Sequence, residues 1–294
     1  MTDEHRESST MSAVHAAGAP NGVTGARPLA GGRGSRYVRE AADLGIRAAK
    51  GLVGFAVVVG LWELALATGV IHKESAPSIG QFVSAVGTAI GNGAISATLS
   101  TLVAWVLTLL ISVGLGVIVG LATGLSPFID ALTTVVFDFL RALPPIALLP
   151  AVVLFAGIGR NLEIVVAVAA AVWPVLLGAH YGVTHTDPRM IDVGRTMHLG
   201  RLRIITRIVL PSALPSIITG IRVAAMIALA VVIGVEIVGG TGTGLGTYIS
   251  NATSTGATDQ AYAGGFIAAV VGLVIVAVFT LAERRALRWT PDHR

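Results

Sequence analysis

The chain has 294 residues, of which 54% are hydrophobic and only 12% are charged. An average soluble domain carries about 25% charged residues, so this composition excludes an ordinary soluble protein and favours a polytopic membrane protein. The formal net charge is +4, but the basic residues cluster beside apolar blocks instead of alternating with aromatic residues, so nucleic acid is not expected as a partner. The absence of cysteine excludes disulfide and thiolate chemistry.

The chain begins with a segment of a different composition. Residues 1–50 are rich in Gly, Ala, Ser and Arg and show no apolar periodicity. Such a composition cannot bury enough apolar surface to fold alone. We expect residues 1–50 to form a mobile cytoplasmic N-terminal tail.

Six apolar blocks follow, each close to the roughly 20 residues that a membrane-spanning helix needs. They predict an all-α polytopic membrane protein with a transmembrane domain over residues 51–283 and a cytoplasmic C-terminal tail over 284–294. The predicted spans are 51–71, 98–121, 140–159, 162–183, 214–238 and 261–282. In the second span, Gly116 and Gly120 form a GxxxG pattern, which predicts close helix packing within the bundle or at a dimer interface.

The distribution of basic residues orients these spans. Basic clusters precede the first span, lie between the fourth and fifth, and follow the sixth, whereas the alternate connections hold only Lys73 and Arg160. Because Lys and Arg concentrate in cytoplasmic loops, both termini and the long loop over 184–213 are expected in the cytoplasm.

The third predicted span has an irregular start. Asp138 and Arg141 are three residues apart and can pair on one face of a helix, interfacial or transmembrane. Pro144, Pro145 and Pro150 then remove backbone donors, which a membrane tolerates only where neighbouring groups satisfy the freed carbonyls. We therefore expect the third helix to face protein.

Four residues within the spans are candidates for a pore or gating role. Glu63 and Glu236 are costly in a membrane, so each indicates either function or a structural hydrogen bond inside the bundle, and packing or gating is favoured over contact with solute. Trp173 and Pro174 either line a pore or form a packed aromatic residue at a kink. Arg222 lies near a span end, where its side chain is expected to reach lipid phosphates.

The loop between the fourth and fifth spans carries five arginines and has its own helical pattern. Asp187 followed by Pro188 predicts a helix N-cap with proline at the first position. Leu202, Ile205 and Val209 then recur at helical spacing while arginines point elsewhere, which predicts an amphipathic helix that ends at Pro211. Such a helix lies on a lipid surface or docks into the groove of a soluble subunit.

No pattern for an enzyme or a metal site is present. The only lysines, Lys50 and Lys73, do not follow a GxxxxG run, so the chain has no phosphate-binding loop and is not expected to hydrolyse ATP. The glycine-rich run over 240–246 is interpreted as a tightly turned external loop, in which glycine permits positive φ. The histidines show no spacing typical of a metal site.

The loop resembles the cytoplasmic signature of binding-protein-dependent ABC importer permeases. In that signature, an acidic residue and two alanines are followed by a glycine and then, after nine residues, by an Ile-x-Leu-Pro ending. The corresponding positions are Asp192, Val193, Gly194, His198 in place of the glycine, and the intact ending Ile208, Val209, Leu210 and Pro211; Arg195 lies inside the signature, and Gly200 is the candidate for the bend. Further segments resemble the nitrate, sulfonate and taurine branch: 61–65, 141–159, 172–183, 235–246 and 258–273.

This resemblance covers residues 52–290 and implies a fold, a function and partners. It implies the six-helix type I permease fold, with the 184–213 loop coupling the subunit to two separate ABC ATPase subunits that bind ATP and Mg²⁺. It also implies an external solute-binding protein, a second permease copy in a homodimer, and the inner membrane of a bacterium. The solute is expected to be a small anion such as a sulfonate, taurine or nitrate. The rival interpretation is a secondary transporter or channel driven by an ion gradient.

Overall fold

The computed structural model describes residues 50–51, 53–54, 56–70 and 76–287. Most of the predicted N-terminal tail and residues 288–294 of the predicted C-terminal tail lie outside the described residues. The chain divides into two compact units, 1–60 and 61–294, and the description below concerns the second.

Every regular element among the described residues is helical, which confirms the predicted all-α class. The α-helices are α1 Ala56–Ala67, α2 Ile79–Ala89, α3 Ile95–Leu125, α4 Pro127–Ala142, α5 Leu149–Ala156, α6 Arg160–Thr184, α7 Pro188–Thr196, α8 Arg201–Ile204, α9 Leu210–Gly239, α10 Leu245–Ser254 and α11 Thr258–Ala286. A 3₁₀ turn at Pro145–Leu148 precedes α5, and π-helical turns at Ile90–Ala94 and Ile205–Val209 precede α3 and α9.

Four helical stretches of the described chain are long and apolar enough to cross a membrane: Ile79–Leu125, Arg160–Thr184, Arg201–Gly239 and Thr258–Ala286. They correspond to the predicted second, fourth, fifth and sixth spans. The predicted first span is represented by α1, which is too short to cross a membrane on the described residues alone. The count of six spans is therefore not confirmed.

The predicted third span, 140–159, is interrupted: it contains the end of α4, the 3₁₀ turn and α5. The stretches Pro127–Ala142 and Pro145–Ala156 are bent by 88° relative to each other. Pro144 and Pro145 cause the break, because neither supplies a backbone N–H and the residue before a proline avoids the helical region. Before the bend, Arg141 contacts Asp138 at 2.9 Å, as the spacing predicts. After the bend, α5 packs Val152 with Leu162 of α6 and Val235 of α9, as expected of a span that faces protein, whereas α4, most of which precedes this span, has no buried residue.

The core of the bundle consists of α3, α6 and α9. Helices α3 and α6 run in the same direction: Arg160 at the start of α6 donates to Ser100 near the start of α3 at 2.9 Å. At the other end, a Cβ atom built on Gly124 would lie 2.8 Å from the Cβ of Val183. The bent pair α4 and α5 therefore returns the chain across the bundle between two parallel helices.

Helix α9 runs antiparallel to α6 and packs on it at close range. A Cβ on Gly182 would lie 2.8 Å from the Cα of Ala213, and one on Gly220 would overlap the carbonyl oxygen of Pro174. Small residues let two helix backbones approach where lipid supplies no hydrophobic driving force.

The GxxxG pair of α3 lies at the same core. A Cβ on Gly120 would lie 2.7 Å from the Cβ of Ala179, and one on Gly116 would lie 2.7 Å from the Cβ of Val175. These glycines therefore serve packing of α3 on α6 within the chain, and the alternative of a dimer interface is wrong for them.

Candidate functional site

The loop between α6 and α9 begins with the predicted N-cap. The backbone N–H of Arg189 donates to the Asp187 carboxylate at 2.9 Å, and Pro188 occupies the first turn of α7. The carboxylate satisfies an N–H that the helix leaves without a partner. The helix start predicted from the Asp-Pro pair is thus confirmed.

Helix α7 has one buried position and an exposed charged face. Gly194 is its only buried residue, and a Cβ there would lie 2.8 Å from Cδ1 of Ile208. On the exposed face, Arg195 donates to Asp192 at 3.1 Å, with side chains 70% and 67% exposed. Gly194 therefore closes the contact with the second half of the loop, while Asp192 and Arg195 are free to meet a partner.

The turn after α7 lies at His198 and not at Gly200. His198 has φ +55°, and it is the only residue other than glycine with positive φ in the described part of the chain. The N–H of Leu199 bonds the carbonyl of Gly194 at 3.0 Å and that of His198 bonds Arg195 at 2.9 Å, which is the Schellman pattern with His198 in the left-handed position. Gly200 has φ −65° and precedes α8 in extended conformation.

The sequence predicts that the helix after Gly200 ends at Pro211, and this prediction is wrong. Residues Arg201–Gly239 form one continuous helical stretch, with the π turn Ile205–Val209 immediately before Leu210 and Pro211. A proline inside an α-helix lacks an N–H and its ring crowds the carbonyl four residues earlier. The wider π turn accommodates it, so the Ile-x-Leu-Pro ending joins the loop to α9 without a break.

Four large apolar side chains of the loop are exposed, and we call them the loop face. They are Met190, Val193, Met197 and Leu202, between 49% and 74% exposed. Of the three apolar residues that recur at helical spacing in the sequence, Leu202 is the most exposed residue of this face, whereas Val209 is 5% exposed. The loop therefore presents apolar anchors beside the Asp192–Arg195 pair.

At the other end of the bundle, Glu236 is 1% exposed and fully hydrogen-bonded. The hydroxyl of Thr101 on α3 lies 2.8 and 2.9 Å from its two oxygens, and the N–H of Gly246 donates at 2.7 Å. The N–H of Leu245 in turn donates to the Thr101 oxygen at 2.8 Å. We call these four residues the Glu236 network. It joins α3, α9 and the start of α10, so Glu236 caps α10 from inside the bundle.

The glycine-rich run adopts the tight turn expected of it. Gly240, Gly242 and Gly244 have φ of +58°, +80° and +106°, and a Cβ at Gly244 would overlap the Glu236 carboxylate. Glycine is required here both for the backbone conformation and for the approach to the buried acid.

Sequence reasoning missed a second buried acid, Glu163 in the first turn of α6. It is 1% exposed, and its Oε1 has no hydrogen-bond partner among the described residues. The available signal was its place within the predicted fourth span, three residues after Arg160.

Glu63 lies outside the Glu236 network. Its carboxylate accepts the N–H of Ile79 at 2.8 Å, and the neighbouring Trp62 donates to the carbonyl of Pro77 at 3.2 Å. Both contacts tie α1 to the start of α2. Glu63 and Glu236 are thus not brought together, and both accept hydrogen bonds from a helix N-terminus.

Trp173 and Pro174 are half-buried neighbours on α6 that face different helices. The ring of Trp173 packs edge-on against Phe137 of α4, with centroids 5.7 Å apart. Pro174 borders a cavity of about 530 Å³ between α6 and α9, together with Tyr181 and Pro215. Trp173 packs on a neighbouring helix, and Pro174 remains the candidate for a path along this face.

Arg222, which the sequence analysis expects to reach lipid phosphates, has a partner within the chain. It donates to Glu283 of α11 at 3.0 Å, with side chains 38% and 20% exposed. Thr219, one turn earlier, donates to the same carboxylate at 3.3 Å. The pair fastens α9 to the end of α11 on the side of the loop.

Comparison with known proteins assigns this architecture to a family. The sequence profile described as "Binding-protein-dependent transport system inner membrane component" matches residues 112–288, which include the loop and three of the four residues of the Glu236 network. Among solved structures, a bacterial alginate ABC transporter in complex with its alginate-bound periplasmic protein covers 85% of this chain and 97% of its own, with TM-score 0.57 and 19% identity. The match to the MetNI methionine ABC transporter covers 66% of this chain and 94% of the transporter chain, with TM-score 0.54 and 18% identity.

Similar sequences have names in keeping with this fold. The putative aliphatic sulfonates transport permease protein SsuC of Bacillus subtilis is 28% identical over 245 residues, covering 83% of this chain and 88% of SsuC. The nitrate import permease protein NrtB of Leptolyngbya laminosa is 25% identical over 253 residues, covering 82% and 88%. Taken with the profile match over more than half of its length, this chain belongs to the binding-protein-dependent inner membrane components and is a permease subunit of an ABC importer.

Proposed function

We propose that this permease carries a small anion, of the sulfonate, taurine or nitrate type, that an external binding protein delivers and that two separate ATPase subunits drive. The observation that carries the proposal is the loop face beside Asp192 and Arg195. A few apolar anchors flanked by charges are what a helix presents to a groove in a partner protein. ATP and Mg²⁺ are held by those partner subunits, and this chain supplies the contact.

The continuity of the helix after the loop supports a mechanical role for it. The stretch Arg201–Gly239 spans about 58 Å at 1.5 Å per residue, and it carries the loop at one end and Glu236 near the other. Closure of the ATPase pair pushes on the loop, and the rigid helix transmits the displacement to the Glu236 network. Two states with different contacts at each end then give alternating access.

The close packing of α3, α6 and α9 is an argument that a second copy of the chain completes the path. Cβ atoms on Gly116, Gly182 and Gly220 would lie at less than 3.0 Å from α6 or α9 atoms, so no solute passes among α3, α6 and α9. The path therefore runs along the outer side of this core, where Pro174 lies, and a second copy closes it from the lipid.

The sulfonate and nitrate permeases named above support an anionic solute. They cover most of this chain, whereas the solved relatives share only its fold. The polar residues that would meet such an anion are considered in the next section.

Reconstitution in liposomes tests the function against the gradient-driven alternative. The permease is combined with its candidate ATPase and binding protein, and uptake of taurine, methanesulfonate and nitrate is measured. We expect uptake only with ATP, the ATPase and the binding protein together. Uptake by the permease alone under a proton or sodium gradient would establish a secondary transporter instead.

Labelling of single cysteines tests the orientation, and the natural absence of cysteine makes it clean. We expect Met197→Cys on the loop face to react with a membrane-impermeant maleimide only after cells are permeabilised. Thr253→Cys on α10 should react in intact cells. Reaction of Met197→Cys from outside would reverse the orientation and remove the ATPase from the loop.

A further inference from the structure

A polar cavity of about 360 Å³ opens at the end of the bundle opposite the loop. The first turns of α3 form one wall with Ser96 and Ser100, and the glycine turn and α10 form the other with Thr243 and Asn251. Polar and apolar groups line it to about the same extent, whereas the lining of the cavity beside Pro174 is mostly apolar. Nothing in the coupling mechanism uses these groups.

The serine on α3 is set up as a hydrogen donor. Arg160 donates from Nη2 to Oγ of Ser100 at 2.9 Å, so this oxygen is already an acceptor and its own hydrogen remains for a ligand. The guanidinium itself is not part of the lining, but it has four further N–H groups and is bonded to a residue that is. A positive charge and a hydroxyl hydrogen therefore lie side by side.

The facing wall also offers donors. Among the residues that the structure describes, the N–H groups of Gly242, Thr243 and Gly244 have no acceptor, and neither does the Asn251 side-chain amide. The positive φ of Gly242 and Gly244 brings this backbone to the cavity. Backbone N–H groups exposed in such glycine turns favour anions.

One carbonyl of the cavity is already occupied: that of Thr243 accepts from the hydroxyls of Thr241 and Thr247 at 3.2 and 3.0 Å. The Ser96 hydroxyl uses its hydrogen in a bond to the carbonyl of Gly93 at 2.8 Å, so it has none for a ligand. A ligand with several acceptor oxygens and no need of further acceptors fits the free groups.

Three acids near the cavity oppose an anion: Glu236, Glu163 and Asp259. Glu236 lies beneath Gly244, where Thr101 and Gly246 donate to it. Burial, and then the charge of Asp259, raise the pKa of Tyr248, whose hydroxyl donates to Gln260 at 2.7 Å. The charge of Arg160 offsets one acid, and charge-assisted bonds from it to an oxyanion are about twice as strong as neutral ones.

We propose that this cavity is the entry subsite of the permease, where Arg160, Ser100 and the Gly242–Gly244 backbone take the oxyanion group of the solute as the binding protein releases it. The inference rests on the proposed function and assigns the recognition of the anion to this chain in addition to the binding protein. A singly charged group with three oxygens, such as a sulfonate or nitrate, has an acceptor for each of the three kinds of donor.

Direct binding tests the subsite. The complete transporter in lipid nanodiscs, without the binding protein, is titrated with trifluoromethanesulfonate, and ¹⁹F line broadening is measured, with trifluoroethanol as the neutral probe. We expect saturable broadening of the sulfonate alone. Arg160→Gln should weaken binding about tenfold or more, and Ser100→Ala by about threefold to tenfold, the range for losing a bond to a charged group.

Thr253→Ala is the matched control, because Thr253 is on the same helix as Asn251 and its hydroxyl bonds only its own helix, at Ile249. We expect it to bind the sulfonate as the natural protein does. Equal broadening in Arg160→Gln, Ser100→Ala and the natural protein would overturn the subsite, and so would equal broadening of the neutral probe. ATP-dependent uptake that persists in that event leaves the proposed function intact, whereas uptake that needs no ATPase removes the function whatever the binding result.

Discussion

The two ends of the bundle are built in different ways. At the loop, contacts are local and exposed: Asp187 bonds Arg189 two residues on, and Asp192 pairs with Arg195 three residues on. At the opposite end, Glu236 is buried and bonds Thr101, a residue 135 positions away. Exposed local pairs contribute little to stability, whereas buried polar groups are costly when a partner is lost. The loop is therefore free to serve a partner, and the Glu236 network holds the bundle together.

Removing the buried acid should have the largest effect on stability. Glu236→Ala leaves the Gly246 N–H buried without an acceptor, leaves the Thr101 hydroxyl only the carbonyl of Ala97 at 3.2 Å, and opens a cavity beside them. We expect the free energy of unfolding, measured by denaturant titration in detergent, to fall by about 3 kcal/mol.

Glu63→Ala is the matched control for this variant, since Glu63 also lies in a predicted span and accepts one backbone N–H but is only half-buried. Its loss should cost about 1 kcal/mol. Equal losses for the two acids would contradict the assignment of the bundle's stability to the Glu236 network.

Filling the glycine contact between α3 and α6 should have the next largest effect. A side chain at Gly120 overlaps the carbonyl oxygen of Leu176, whereas one at Gly114 on the same helix meets nothing within 4 Å. Gly120→Val should cost about 2 kcal/mol or more, because the backbones must separate, and Gly114→Val should change stability by no more than about 0.5 kcal/mol. Thermal unfolding of the two variants, compared side by side, measures the difference; similar midpoints would contradict the close approach.

The same contrast explains what the sequence could predict. The Asp187 cap, the Asp138–Arg141 pair and the glycine turn rest on residues a few positions apart, and all three were predictable from spacing. The Glu236 network joins residues more than a hundred positions apart. Periodicity in the sequence therefore could not indicate that Thr101 bonds Glu236. Hydropathy alone predicts most of the spans. It does not reveal that the helix continues through Pro211, because the π turn before Pro211 accommodates the hydrogen bond that the proline cannot make.

The turn at His198 should gain stability when it receives the residue that its backbone favours. A left-handed conformation costs a residue with a Cβ atom about 1–2 kcal/mol relative to glycine, and His198 has φ +55°. His198→Gly should therefore raise the free energy of unfolding by about 1 kcal/mol. Gly200→Ala should leave it nearly unchanged, because Gly200 has φ −65° and open space around it. The opposite ranking in thermal unfolding would place the bend at Gly200 after all.

The smallest effect on stability, with the largest effect on transport, is expected for Asp192. Asp192→Asn and Arg195→Gln break the same exposed pair, so each should lower the free energy of unfolding by less than about 0.5 kcal/mol. We expect Asp192 to contact the ATPase in addition to Arg195. Asp192→Asn, unlike Arg195→Gln, should therefore reduce the amount of solute imported per ATP hydrolysed, measured with the complete transporter in liposomes. Equal ratios for the two variants would mean that the pair serves only α7, and coupling would then depend on Met190, Val193, Met197 and Leu202 of the loop face.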